Sequence, residues 1–202
     1  GGLGEDSATL ELNADLASTF KMASVETVTV VGYGARSVDM TNVSGTDTLY
    51  VSESTGTVTL NNVTDAAMAL GFKGAGTNNV TANYKAGALD GTADSASVVL
   101  EAAKAVTVNV DPGFESATIK STGASDINGY TVTGVDTLVI TGSGSLDFAN
   151  TTVDGIKTIT ATGYSGSVTT GTVSATTGYV DADIVGSTAG SSLLLGSGDD
   201  NI

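Results

Sequence analysis

Val28-Thr29-Val30, Leu49-Tyr50-Val51 and Leu70-Gly71-Phe72 follow one another at 21 residues. Ala117-Thr118-Ile119, Leu138-Val139-Ile140 and Ile159-Thr160-Ala161 repeat that interval, and Val180 continues it. Each is a short stretch of period-2 alternation, the pattern of a strand with one buried face. A strand that returns at a fixed interval of this size marks a coil stacked on a coil, because one coil cannot bury its apolar side alone. The spacing predicts an all-β chain, a right-handed parallel β-solenoid of ~21-residue coils. Short strands with turn signals also suit β-sandwich domains. Sandwich strands, however, do not recur in sequence at one interval.

Composition agrees with a narrow stacked interior. The 202 residues include 27 Gly and one Pro, and aromatics are only 5% while apolar residues reach 40%. Such a core is built from Val, Leu, Ile and Ala. Alternation points Val28, Val30, Leu49, Val51, Leu138, Ile140 and Ile159 inward. It points Thr27, Thr29, Thr48, Thr137, Thr158 and Thr160 outward. An outward Thr array resembles the face of ice-binding β-solenoids, although Thr is also simply a good strand residue. Gly56 and Gly144 precede second strands, and Asn62 and Asn150 follow them, as corners that tolerate positive φ require.

The interval breaks once. The segment from Ser24 resembles that from Gly113, with Val28 matching Ala117 and Leu49 matching Leu138 at an offset of 89. Four coils of 21 leave five residues over, which predicts an insertion around Gly87–Ala103. The expected organisation is an N-terminal cap or linker over 1–23, a first solenoid unit over 24–112 and a second over 113–190. Residues 191–202 would open a calcium repeat. Leu10–Phe20 is expected to be partly helical, and Leu100–Val110 could be helix or strand. Roughly nine or ten coils at about 4.8 Å each would span on the order of 45 Å.

Charge and chemistry exclude several function classes. A net charge of −15 with seven basic residues leaves no basic patch for nucleic acid. It attracts divalent cations instead. No apolar run approaches the length of a membrane span, so membrane insertion is not expected. There is no Cys and no His, and Arg36 is the only Arg. No acid–base constellation stands out, and the chain does not read as an enzyme. The absence of Cys is compatible with export.

The acids offer the candidate sites. Gly196-Ser197-Gly198-Asp199-Asp200-Asn201-Ile202 follows the calcium nonapeptide G-G-x-G-x-D-x-U from its second Gly onward, with Leu195 in place of the first. Glycines open the turn so that carbonyls face the ion, and the Asp supplies a charged oxygen. Gly1-Gly2-Leu3-Gly4-Glu5-Asp6 is a weaker echo. Glu26, Asp47, Glu115 and Asp136 each stand two residues before the first inward residue of a strand. In a solenoid, neighbours in that column approach within about one strand spacing. They could hold calcium between coils, or fan into water as turn residues. Asp181 and Asp183 share one strand face and form a similar candidate.

Together the Gly/Thr/Val/Asp coils, the phrases Gly45–Val51 and Gly134–Ile140, and the closing motif resemble the RTX-containing S-layer proteins of Gram-negative bacteria and the related RTX surface adhesins. That resemblance implies type I secretion, an extracellular place on the bacterial cell surface, calcium-dependent folding and self-association into a lattice or with neighbouring solenoid domains. Residues Gly196, Gly198, Asp200 and Ile202 carry over onto the calcium pattern, with Asp199 and Asn201 between and beside them. The chain is then a structural spacer from a longer protein. The alternative is an adhesin segment that binds cell-surface polysaccharide, for which a cluster of Tyr33, Tyr50, Tyr130, Tyr164 and Tyr179 would speak.

Overall fold

A computed structural model describes residues 4–76, 78–104, 106–110, 112–132, 135–148, 158–161 and 164–170. The residues of the closing motif, together with Asp181 and Asp183, lie outside that set. Among the described residues the chain is all strand and turn, with no helix. The strands are β1 (Ser7–Leu12), β2 (Met22–Ala23), β3 (Thr27–Gly32), β4 (Arg36–Asp39), β5 (Val43–Ser44), β6 (Thr48–Ser52), β7 (Val58–Val63), β8 (Ala69–Lys73) and β9 (Asn79–Tyr84). They continue as β10 (Ser95–Glu101), β11 (Val106–Val110), β12 (Ser116–Ser121), β13 (Ser125–Val132), β14 (Thr137–Gly142), β15 (Leu146–Phe148), β16 (Thr158–Thr160) and β17 (Val168–Thr170).

The coils stack as a β-solenoid. One face is an eight-stranded sheet in the order β1-β3-β6-β8-β10-β12-β14-β16, and the opposite face is seven-stranded from β4 to β17. Neighbours pair in parallel throughout. Parallel pairing puts the backbone hydrogen bonds between coils and leaves one side chain in two for the interior. The interior is the expected column of β-branched and Leu side chains: Val28, Val30, Leu49, Val51, Leu138 and Ile140 are all buried. Fully burying each such side chain is worth about 1.5–3 kcal/mol, so this repeated column dominates cohesion. Leu100–Val110, ambiguous in sequence, contributes strand at both ends, in β10 and β11. The helix expected within Leu10–Phe20 does not form. Leu10 and Leu12 lie in β1, which pairs with β3, and Leu16 bridges Val38. A free parallel edge on β3 satisfies more backbone groups by pairing than by an adjacent helix.

The ladder also corrects the spacing of the break. Leu70 pairs with Val98, and Val98 with Ile119, so the step from β8 to β10 is 28 residues. The column of Val28 runs through Leu49, Leu70, Val98 and Ile119; Ala117 pairs with Ala96 and Leu138 instead. The sequence match therefore sits two residues out of register with the hydrogen-bond ladder. A slip of two keeps the same face inward, which is why the inward residues are right although the columns are not. The extra chain is 85–94, a turn between β9 and β10. Leu89 packs beside Gly113, and Tyr84 meets Phe114 edge-to-face at 5.1 Å.

The Thr array is broken within the regular steps themselves. Thr48 pairs with Ala69 and Thr29 with Tyr50, so no outward Thr column crosses the β6–β8–β10 region. At the corners, glycines do stack: a Cβ on Gly56 would come within 2.5 Å of the Gly34 carbonyl carbon, and one on Gly144 would overlap the Gly123 backbone. Asn62 holds φ +57° inside β7, where the ladder to β9 shifts register between Leu60 and Val63, so it marks an irregularity within the strand and not the corner after it.

Candidate functional site

The acid column sits where the chain turns into the eight-stranded sheet, and two members were missed in sequence. Asp6 precedes β1 and Asp94 precedes β10, in the place that Glu26, Asp47, Glu115 and Asp136 hold before their own strands. In an uninterrupted step the amide of each acid donates to the carbonyl of the acid one coil back: Asp47 to Glu26 at 2.9 Å, Asp136 to Glu115 at 3.1 Å. At Asp6 and Asp94 that bond is replaced by a side chain from the coil ahead. The Asp6 amide donates to Glu26 Oε2 at 2.7 Å, and the Asp94 amide to Glu115 Oε2 at 2.7 Å.

Glutamate is thus used at the two places where a run of coils starts, and aspartate where it continues. In this column it is the Glu side chain that reaches back one coil to the amide. The amide of Asp6 is the main reason that the Glu26 carboxyl lies below its ordinary value of 4.5, with its own backbone amide adding to the effect. The signal was available: Glu26 and Glu115 are the only Glu residues in that column. It was read as charge when it is backbone capping.

This engagement bears on calcium. The two Glu carboxylates already accept backbone donors, while Asp47 and Asp136 stand exposed in separate turns. Asp126 faces Asp147 across β13 and β15, and Asp126 Oδ1 is buried without a hydrogen-bond partner. Among the described residues no three acids gather into a group that could hold a metal ion. The described coils therefore do not fit a multi-carboxylate calcium centre. The oxygen-rich motif at Gly196, Gly198, Asp199, Asp200 and Asn201 lies beyond them.

A second constellation spans the interrupted step. Gly71 leaves a gap on the outer face of β8, and the ring of Tyr50 lies across it. The Tyr50 hydroxyl donates to Glu101 Oε1 at 2.7 Å, two strands away. Lys73 Nζ stands 3.7 Å from the ring centroid and 3.2 Å from Glu101 Oε2. Tyr50 points outward yet is only 9% exposed. An aromatic laid over a sheet glycine restores the packing that the glycine lacks. Burial first, then the bond to Glu101 and its charge, push the Tyr50 hydroxyl up to about 12. A phenol held that firmly protonated clasps the coils rather than donating protons in chemistry. The pair of Tyr50 and Gly71, one interval apart, was visible in sequence; Glu101 was not, because the 28-residue step displaces it.

Buried polar side chains line the corner between the sheets. Ser54 Oγ accepts from the Gly32 amide at 2.9 Å, Asn78 Oδ1 from the Ser54 amide at 3.3 Å, and Ser125 Oγ from the Ala103 amide at 3.3 Å. Each side chain serves the coil before it, as buried backbone donors demand. Tyrosines do not form one exposed platform: Tyr33 is exposed, Tyr50 is covered, and Tyr164 is fully buried with its hydroxyl donating to the Gly144 carbonyl. Tyr179 lies outside the described residues. Comparison with protein-family models, curated proteins and solved structures finds no match to this chain.

Proposed function

We propose that this chain is a structural segment of a secreted bacterial surface-layer protein whose extracellular lattice depends on calcium. The observation that supports it best is the continuous parallel stack, eight strands along one face, leading toward the calcium-type motif that closes the sequence. A stack whose hydrogen bonds run along its axis resists extension and bending, which is what a spacer between assembly contacts must do. Calcium, when bound, would supply rigid cross-links between turns. Gly196, Gly198 and Asn201 would offer carbonyls, and Asp199 and Asp200 charge. Asp47, Asp136, Asp181 and Asp183 remain secondary candidates at coil turns or subunit contacts, and the net charge of −15 favours cations near all of them. Secretion by a type I route follows from the same resemblance.

The polysaccharide-binding adhesin has less support, since Tyr164 is inside the solenoid and Tyr50 is covered on its outer face. The test is assembly of the parent protein, followed by electron microscopy, in calcium and in excess chelator. Ordered arrays should form only with calcium, and Asp200→Asn should raise the calcium needed. Arrays that form equally well in chelator would sink the proposal.

A further inference from the structure

A third, minor side of the solenoid starts and stops. Strands β2 and β5 pair in parallel, Met22 with Val43 and Ala23 with Ser44. No further described strand joins them. One coil on, 64–68 runs as a turn rather than as a strand. A cleft of about 310 Å³ is left beside β5. Its wall is apolar, with Met40, Val43, Val63 and Met68 all buried. Ser44 and Asp65 line its exposed rim.

Thr46 also lines this cleft. It is 97% buried by its 3% exposure, and its hydroxyl has no hydrogen-bond partner. A buried hydroxyl left unpaired is costly to the fold. An unfinished ladder, an apolar wall and an unpaired hydroxyl at one place describe half of a strand-binding groove.

We propose that this cleft receives an extended peptide strand that pairs with the open edge of β5, placing a small apolar side chain against Met40, Val63 and Met68 and satisfying the Thr46 hydroxyl. Charge selects its composition. Asp65 on the rim and Asp47 next to Thr46 are both exposed, and the whole chain is strongly acidic. A second copy of this chain would be repelled, whereas a strand alternating apolar with basic residues is attracted. Lys21 lines the adjoining groove, on the β2 side, away from that rim.

The test uses the 202-residue chain and a blocked octapeptide of alternating Val and Lys, followed by amide chemical shifts. Shifts are expected at Val43–Thr46 and Val63–Met68. A peptide N-methylated along one edge should lose binding at least tenfold, and so should the Val/Glu counterpart. Thr46→Val, which keeps the side-chain shape, should weaken binding several-fold and raise the melting temperature of the free protein. Asp65→Asn keeps the acceptor that holds the Ala67 amide and should lose only the salt-sensitive part. Equal binding of the N-methylated peptide would mean charge attraction alone and would overturn the proposal. Shifts elsewhere, no shifts, or a Thr46→Val protein with unchanged peptide binding and melting temperature would overturn it too. None of these outcomes depends on calcium or on lattice assembly.

Discussion

The step from β3 to β6 and the step from β8 to β10 join the same kinds of strand, yet they are held together differently. In the first, 21 residues bring each strand back beside its predecessor, and at the corner Ser54 Oγ and Thr55 Oγ1 accept from the Gly32 and Gly34 amides. In the second, 28 residues are needed, and Tyr50 of β6 reaches over Gly71 of β8 to Glu101 of β10, a clasp that spans the step. The regular step is tied by short side chains at its corner, and the interrupted one by a long clasp across its sheet face.

The sharpest way to break this comparison is at the corners. Gly144 sits in an uninterrupted step with the Gly123 backbone against it, whereas Gly74 sits at the interrupted step with open space beside its Cβ position. Gly144→Ala is expected to cost about 3 kcal/mol, because backbone cannot yield as a side chain does. Gly74→Ala should cost about 1–2 kcal/mol, from its φ of +68° alone. Urea unfolding of both variants measures the difference, and equal costs would remove the distinction between the two kinds of step.

Next in size is the clasp. Tyr50→Phe keeps the ring over Gly71 and loses the bond to Glu101, for an expected loss of about 1–2 kcal/mol. The Lys73–Glu101 pair is more than a third exposed and should add about 0–1 kcal/mol. The Tyr50 hydroxyl titrates higher in the folded chain than in the unfolded one, where it is near 10. Its contribution is therefore complete below pH 10 and lost as pH rises toward about 12. Melting curves of Tyr50→Phe should lack that alkaline loss.

The smallest effects lie in the acid column. Glu26→Ala and Glu115→Ala, which remove the acceptor of the Asp6 and Asp94 amides, should each lower the melting temperature, and more than Asp47→Ala, which should stay within about 0.5 kcal/mol. The Glu26 carboxyl titrates below 4.5 in the folded chain. Its contribution is present above that pH and lost as pH falls through the lower folded value, so Glu26→Gln should flatten part of the acid loss. An Asp47→Ala protein as damaged as Glu26→Ala would show that the column acts by charge and not by capping.

Particular residues show what the sequence could reveal. Val28, Leu49 and Leu70 reveal the coil because burial acts on every turn and leaves a period. Gly56 reveals a corner because a Cβ there would run into the Gly34 backbone, and Asn62 reveals a positive φ that falls inside β7. The register across 85–94 was not legible: similarity of Gly113 onward to Ser24 onward reports shared local chemistry, whereas the ladder is set by what Leu70 can pair with. Nor was the role of Glu26, since a carboxylate that caps a distant amide and one that meets water look alike in a string of letters. Leu10 misled as a helix signal because the open edge of β3 outweighs local preference. Thr46 gave no sign at all, as its hydroxyl matters only for where it is left.

The backward-reaching glutamates give the stack a direction. Asp6 and Asp94 each give their amide to a carboxylate of the coil ahead, and at Asp94 that bond stands although β8 pairs with β10 on the other side. Asp47 and Asp136 give their amides to the coil before, and their carbonyls accept from Ala69 and Thr158 of the coil after. The two faces of a coil are therefore not interchangeable at this corner: one is met by amides, the other by carbonyls.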